Sequence, residues 1–157
     1  MHILFLAEAA VSNERNFYAG NTVLFKAVKA AFEQQFGLFG NDKTFLDFFN
    51  AAGCRLDHLC QKSLSGLAPG ERLQERRRCI GALAGKLTAD PPLMIIVVMK
   101  GILPEVLEAI RLASFPRSPL VRATPFPVRS EQNRLNCIKG IIAVLKEAVA
   151  GGLLPRE

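Results

Sequence analysis

The chain has 157 residues, of which 50% are hydrophobic and 22% are charged, and its formal net charge at pH 7 is +6. This length and balance predict one globular domain over residues 1–157 and exclude a mostly disordered chain. The longest apolar run, residues 93–99, is far shorter than the roughly 20 residues of a membrane span, so we expect no membrane partner.

Strand and helix patterns alternate from the beginning of the chain. Residues 2–7 are apolar and β-favouring without a helical period, which predicts a buried first strand. From residue 22, apolar residues recur at helical spacing and predict a long helix that Gly37 ends. Asp42 can cap a second helix, which ends at Gly53, and residues 54–60 predict a short strand.

The second half of the chain continues the alternation. Residues 71–87 predict one helix that keeps its arginines on the solvent side, and residues 93–99 predict a strand buried on both faces. Helices are predicted from Pro104 to about residue 113 and from Glu131 onward, with a strand at residues 120–123 between them. This order predicts an α/β fold, a three-layer α/β/α sandwich with a small, mainly parallel sheet and a ligand crevice at the carboxyl ends of its strands.

The cysteines and the N-terminal residues indicate the cellular compartment in which the protein is expected. Residues 1–7 lack the basic region of a secretory signal, so we expect a cytoplasmic protein. Cys54, Cys60, Cys79 and Cys137 are irregularly spaced and form no C-x-x-C pair. We therefore expect all four to be reduced and buried, with no structural zinc site.

Three loops follow predicted strands and should converge, at residues 8–21, 58–66 and 124–134. The first begins with Glu8, a carboxylate that could orient or deprotonate a water, or could instead hold the loop in place. Its remaining polar and aromatic side chains suit a planar ligand, which can stack on a ring while amides contact its edge. Alternatively, the two aromatic rings pack onto the first helix as a lid. The side chains in question are Asn13, Arg15, Asn16, Phe17, Tyr18 and Asn21.

The other two loops offer a histidine and a cationic pair. His58 ends the second strand and could hydrogen-bond a ligand, whereas His2 begins a buried strand and is interpreted as structural. Arg129 and Arg134 lie beside the beginning of the terminal helix, where a phosphate could bind. The alternative is that both arginines pair with Glu131 or face solvent.

Several segments resemble the uracil-DNA glycosylase superfamily. Residues 3–9, Ile-Leu-Phe-Leu-Ala-Glu-Ala, and residues 17–21, Phe-Tyr-Ala-Gly-Asn, are similar to the first strand and motif of that superfamily. Residues 45–59 are similar to its next helix and strand, residues 95–101 to its central strand and turn, and residues 123–127 to its last motif. The resemblance spans nearly the whole chain.

The resemblance implies excision of a deaminated base that is flipped out of DNA. Glu8 would lie near the attacking water and His58 would occupy the place of an asparagine found in many relatives, which makes these two the catalytic candidates. Phe17, Tyr18 and Asn21 would contact the base, whereas Arg15, Arg129 and Arg134 would contact phosphates. The cysteine spacing differs from the iron–sulfur branch, so we expect no cluster and no other cofactor.

Departures from the superfamily pattern favour an alternative. Ala7, Ala9 and Ala10 stand where relatives have glycine and proline, and residues 124–134 lack the usual histidine. A non-catalytic module that binds a nucleotide, a nucleic acid or a protein in the same crevice is therefore the second hypothesis. An enzyme acting on a small phosphorylated metabolite through Arg129 is the third. The expected partner remains DNA or a nucleotide.

Overall fold

A computed structural model describes residues 1–10, 12 and 14–156. Within these residues, four strands form one sheet in the order β2-β1-β3-β4, and every neighbouring pair is parallel. Their bounds are Ile3–Ala9 for β1, Cys54–Cys60 for β2, Met94–Val97 for β3 and Leu120–Ala123 for β4. The predicted α/β class and parallel sheet are confirmed.

Helices cover both faces of this sheet. Their bounds are Val23–Phe36 for α1, Asp42–Ala51 for α2, Pro69–Arg78 for α3, Ile80–Ala89 for α4, Leu103–Leu112 for α5 and Glu131–Ala150 for α6. The side chains of Thr22, Asn41 and Ser130 cap α1, α2 and α6 by accepting a backbone N–H of the first turn.

The prediction of one helix over residues 71–87 is wrong. The chain forms two helices, and Cys79 ends α3 immediately before α4 begins. Cys79 is also covalently bound to the end of β2, so the chain is tied to the sheet at this junction. The spacing of apolar residues along the sequence does not indicate such a covalent bond.

Successive side chains of β1 point to opposite faces of the sheet and pack in two separate hydrophobic cores. Ile3 and Phe5 pack with residues of α1, α2 and α6, whereas Leu4 and Leu6 pack with residues of α4 and α5. Because successive strand residues point to opposite faces, Glu8 follows Leu6 toward the second face. That orientation decides which partners Glu8 meets.

Cys60 and Cys79 form a disulfide, with their Cα atoms 5.5 Å apart. The expectation that all four cysteines are reduced is therefore wrong for this pair, which the fold brings together across 19 residues of sequence. Cys54 and Cys137 are free and buried as expected. Burial raises the pKa of the Cys54 thiol to about 12 and that of Cys137 to about 11.

Within the described part of the chain, every helix is either too short or too polar to traverse a lipid bilayer.

Candidate functional site

The three predicted loops meet at the carboxyl ends of the strands and enclose a cavity of about 480 Å³. We call it the arginine cavity. The end of β1, the loop after β2, the first turns of α3 and the loop after β4 all contribute to its wall. Its polar lining residues are Glu8, Ser63, Ser65, Arg72, Arg76 and Arg129.

A second cavity of about 280 Å³ adjoins the first, and we call it the apolar cavity. Among the residues that the structure describes, the two cavities share five in their walls, so they are the adjoining halves of one cleft. The shared residues are Ala7, Ala9, Ala10, Phe126 and Val128. The remaining lining of the apolar cavity is Arg15, Asn16, Phe17, Thr22, Val23, Leu24 and His58.

Glu8 is buried and held by two arginines of α3. Its Oε1 accepts a hydrogen bond from Nε of Arg72 at 2.9 Å and a second, shorter one from Nη2 of Arg72. Its Oε2 accepts from Nη1 of Arg76 at 3.0 Å. Burial raises the pKa of Glu8, but the hydrogen bonds and charges of Arg72 and Arg76 outweigh burial and hold the pKa below its usual value. Glu8 is therefore ionised, and both of its oxygens are engaged.

Arg76 lies between two buried carboxylates. Its Nε is 3.3 Å from Oε1 of Glu105, which is 6% exposed in the first turn of α5. Among the described residues, Oε2 of Glu105 has no hydrogen-bond partner. The ion pairs therefore connect β1, α3 and α5. Removing Arg76 would leave the buried charge of Glu105 without this ion pair and would leave Glu8 paired with Arg72 alone.

The arginine run of α3 was predicted to face solvent, which is wrong for Arg72 and Arg76. These two are half-buried and turn toward Glu8, whereas Arg77 and Arg78 are exposed. Residues four apart share one face of a helix, and a carboxylate ending an apolar strand requires a cation. Those two sequence features together could have indicated the pairing.

His58 lies in the other half of the cleft. It lines the apolar cavity, and its register partner in β1 is Ala7, whose side chain belongs to the face opposite that of Glu8. The two catalytic candidates therefore line different cavities. Burial lowers the pKa of His58, and the charge of Lys86 adds to that effect against the opposing charge of Asp57, so the imidazole is neutral at pH 7.

The three candidate base contacts have different environments. Phe17 is 2% exposed, lines the apolar cavity and packs edge-on against Phe25 at a centroid distance of 5.3 Å. Tyr18 accepts a hydrogen bond at its hydroxyl from the backbone N–H of Leu56 at 2.9 Å. Asn21 donates from Nδ2 to the carbonyl of Glu14 at 3.1 Å, which holds the loop. Neither Tyr18 nor Asn21 is among the described lining residues of the cleft.

The three arginines proposed to contact phosphate lie in three different places. Arg15 lines the apolar cavity, and Arg129 lines the arginine cavity with an exposed side chain. Arg134 forms an ion pair with Glu131 in the first turn of α6, with 2.9 Å between Nε and Oε2, which was the alternative left open by the sequence. Asn13, the remaining polar candidate of the first loop, lies outside the described residues.

Arg129 adopts an unusual backbone conformation, with φ at 75°. For a residue with a side chain, the left-handed region costs roughly 1 kcal/mol. This conformation occurs immediately before Ser130, which caps α6. Strained residues of this kind concentrate at functional sites, so Arg129 is the cleft arginine with the strongest local indication of a role.

Sequence reasoning missed several wall residues, including Ser63, Ser65 and Met99. None of these belongs to a recognisable motif, and only the convergence of the loops brings them together. Across residues 1–10, 12 and 14–156, no three His, Cys, Asp or Glu side chains are grouped so that they could hold a metal ion. Comparisons with protein-family models and with curated proteins find no match to this chain.

Proposed function

We propose that the cleft binds a nucleotide, free or as a unit of a nucleic acid, without catalysing its cleavage. The phosphate would occupy the arginine cavity and the base would occupy the apolar cavity. The observation that supports this proposal is the adjacency of the two cavities, which share the wall formed by Ala7, Ala9, Ala10, Phe126 and Val128. A nucleotide has the same division into an anionic part and a flat, largely apolar part.

The arginine cavity has the charge and the donors that a phosphate requires. Three arginines and one carboxylate are among its described lining residues, which gives an excess of positive charge. Arg72 retains 41% side-chain exposure while it pairs with Glu8, and Arg129 is exposed. A guanidinium can donate two parallel hydrogen bonds to phosphate oxygens, and the exposed hydroxyls of Ser63 and Ser65 are further donors.

The apolar cavity suits the base. Phe17, Val23 and Leu24 offer apolar surface, and the neutral imidazole of His58 can donate one hydrogen bond and accept another at the edge of a base. Arg15 adds a cation at the same cavity, where it could stack on the base or contact a neighbouring phosphate. Recognition would therefore combine packing with a few polar contacts.

Binding rather than cleavage is supported by the state of the candidate catalytic residues. Glu8 is ionised but held by Arg72 and Arg76, and His58 lines the other cavity. A carboxylate already engaged at both oxygens is a weak general base, because its charge is offset by its partners.

Fluorescence anisotropy with a labelled single-stranded oligonucleotide tests the phosphate half. Arg129→Gln should weaken binding about tenfold at low salt, the size of one charge-assisted contact. Arg117→Gln is the matched control, because Arg117 is an exposed arginine in the loop that precedes β4, at the opposite end of the sheet. Equal losses in the two variants would indicate attraction by net charge alone and would contradict the proposal.

Competition measurements test the base half without a substitution. A nucleoside monophosphate should displace the labelled oligonucleotide at a lower concentration than ribose phosphate, because only the former places a base in the apolar cavity. Inorganic phosphate should compete least. If ribose phosphate and the nucleotide compete equally, the apolar cavity does not bind the base.

A second candidate function is glycosylase activity, favoured by the ionised carboxylate of Glu8 in the cleft and by the superfamily resemblance. The test uses labelled oligonucleotides that contain uracil, hypoxanthine or xanthine, followed by alkaline cleavage of abasic sites. Strand breaks that are lost in Glu8→Gln but kept in Glu14→Gln, an exposed carboxylate, would establish this function. Intact strands with retained binding would support the binding module.

A further inference from the structure

The disulfide between Cys60 and Cys79 lies in the wall of a third cavity, which we call the disulfide cavity. It measures about 290 Å³ and lies between the end of β2 and helices α3 and α4. Cys60 is 1% exposed, whereas Cys79 is half-buried. Cys79 is therefore the more accessible of the two cysteines to a molecule in the cavity.

Cationic side chains surround this disulfide. Lys62, Arg78 and Lys86 line the cavity, and Glu75 is the one carboxylate among the described lining residues. Arg78 pairs with Glu75, and Lys86 pairs with Asp57 at 3.2 Å, while Lys62 is exposed. Excess positive charge in a concave site raises the local concentration of anions.

The disulfide also attaches α3 to the sheet. None of the ten residues of α3 is buried, so this helix contributes no fully buried apolar side chain to the core. Its attachments include the ion pairs of Arg72 and Arg76 with Glu8 and the covalent bond of Cys79 immediately after its last residue. A helix held in this way should loosen when the bond opens.

We propose that the Cys60–Cys79 bond is a reversible exchange site for a small anionic thiol, and that opening this bond releases α3 from the sheet. The incoming thiolate attacks Sγ of Cys79, the Cys60–Cys79 bond breaks, and the electron pair leaves on Sγ of Cys60, which takes up a proton. A second thiolate attacks the small-molecule sulfur of the mixed disulfide and frees Cys79. Two thiols are oxidised to one small disulfide while the protein disulfide is reduced, and the reverse reaction uses that small disulfide as oxidant.

The two remaining cysteines do not compete for this chemistry. Cys54 and Cys137 are buried, and burial raises the pKa of each thiol, so neither forms the reactive thiolate at neutral pH. Exchange is therefore confined to one bond. The inference is independent of nucleotide binding, because it is measured at sulfur and in the backbone of α3.

Thiol counting and reduction rates test the site on the unmodified chain. Alkylation of denatured, non-reduced protein followed by mass spectrometry should label two cysteines, and labelling after reduction should reach four. Mercaptopropionate should reduce the bond roughly tenfold faster than cysteamine at equal thiolate concentration and low salt, with mercaptoethanol between them. High salt should remove the difference. Four labelled cysteines without reduction, or equal rates for the three thiols, would overturn the proposal.

A charge variant and hydrogen exchange complete the test. Lys62→Gln should reduce the preference for mercaptopropionate, whereas Lys43→Gln, an exposed lysine on α2, should leave it unchanged. Reduction of the unmodified protein should accelerate amide exchange across residues 69–78 by at least several-fold while α6 stays protected. Unchanged exchange in α3 on reduction would show that the bond does not hold the helix.

Discussion

The guanidinium of Arg76 in α3 donates a hydrogen bond across 3.0 Å to the carboxylate of Glu8 at the end of β1. The same guanidinium lies 3.3 Å from the carboxylate of Glu105 in α5, so one half-buried cation contacts two buried anions. The wall of the arginine cavity therefore depends on an ion-pair network that connects a strand with two helices.

Replacing Arg76 should destabilise the fold strongly. Arg76→Gln leaves Glu8 and Glu105 buried with less compensation, and breaking a buried pair in this way costs about 3 kcal/mol. Arg78→Gln is the matched control, because its ion pair with Glu75 is exposed and should contribute under about 1 kcal/mol. Urea unfolding monitored by circular dichroism measures both values. If both variants lose a similar amount of unfolding free energy, the ion-pair network with Glu8 contributes little to stability.

Glu8 should make the free energy of unfolding depend on pH in the acid range. Its pKa in the folded protein lies below the usual glutamate value of about 4.3, so the folded state favours the ionised form. The resulting stabilisation is fully present above the unfolded-state pKa and is lost as the pH falls through the folded pKa. The difference in unfolding free energy between the unmodified protein and Glu8→Gln should therefore shrink as the pH falls below about 4.3. A difference that stays constant over that range would contradict ionisation of Glu8.

His58 should titrate below the usual histidine pKa of about 6.5, because burial disfavours its charged form. The unfolded state then binds the proton more readily than the folded state, so stability falls as the pH drops below about 6.5 toward the folded pKa. His58→Gln should lack this slope. Proton NMR of the imidazole resonances measures the midpoint directly, and a midpoint at or above 6.5 would refute the burial argument.

Two helical glycines should respond to alanine in opposite directions. A Cβ at Gly140 in α6 would lie 2.7 Å from Cγ2 of Thr124, which is 1% exposed, so Gly140→Ala should cost about 1 to 3 kcal/mol. Gly85 in α4 has open space around it, and Gly85→Ala should add roughly 0.5 to 1 kcal/mol through helix propensity. Thermal unfolding of both variants provides the comparison. If both substitutions stabilise the protein, Thr124 and α6 move apart at little cost and the close contact does not constrain Gly140.

Local features of the sequence were sufficient for most of the architecture. The strand at Leu120–Ala123 and the helix that begins at Glu131 were predicted at their observed bounds, and the parallel sheet followed from alternating strands and helices. These features depend on periodicity and capping, which are encoded within a few neighbouring residues. The candidate list drawn from the strand ends also contained six residues that line the cleft. They are Glu8, Arg15, Asn16, Phe17, His58 and Arg129.

The pairings inside the cleft were decided by tertiary structure alone. Arg72 is 64 residues from Glu8, and Cys60 is 19 residues from Cys79, so no local pattern relates either pair. Whether an arginine run faces solvent depends on what packs against its helix, and here a buried carboxylate turns two of its members inward. Successive residues of β1 point to opposite faces of the sheet, so Ala7 and Glu8 lie on different faces. His58 lies on the face of Ala7, and therefore away from Glu8, because β2 pairs with β1 in the observed register. Sequence thus determined the elements through short-range periodicity, whereas the sheet order decided which side chains meet.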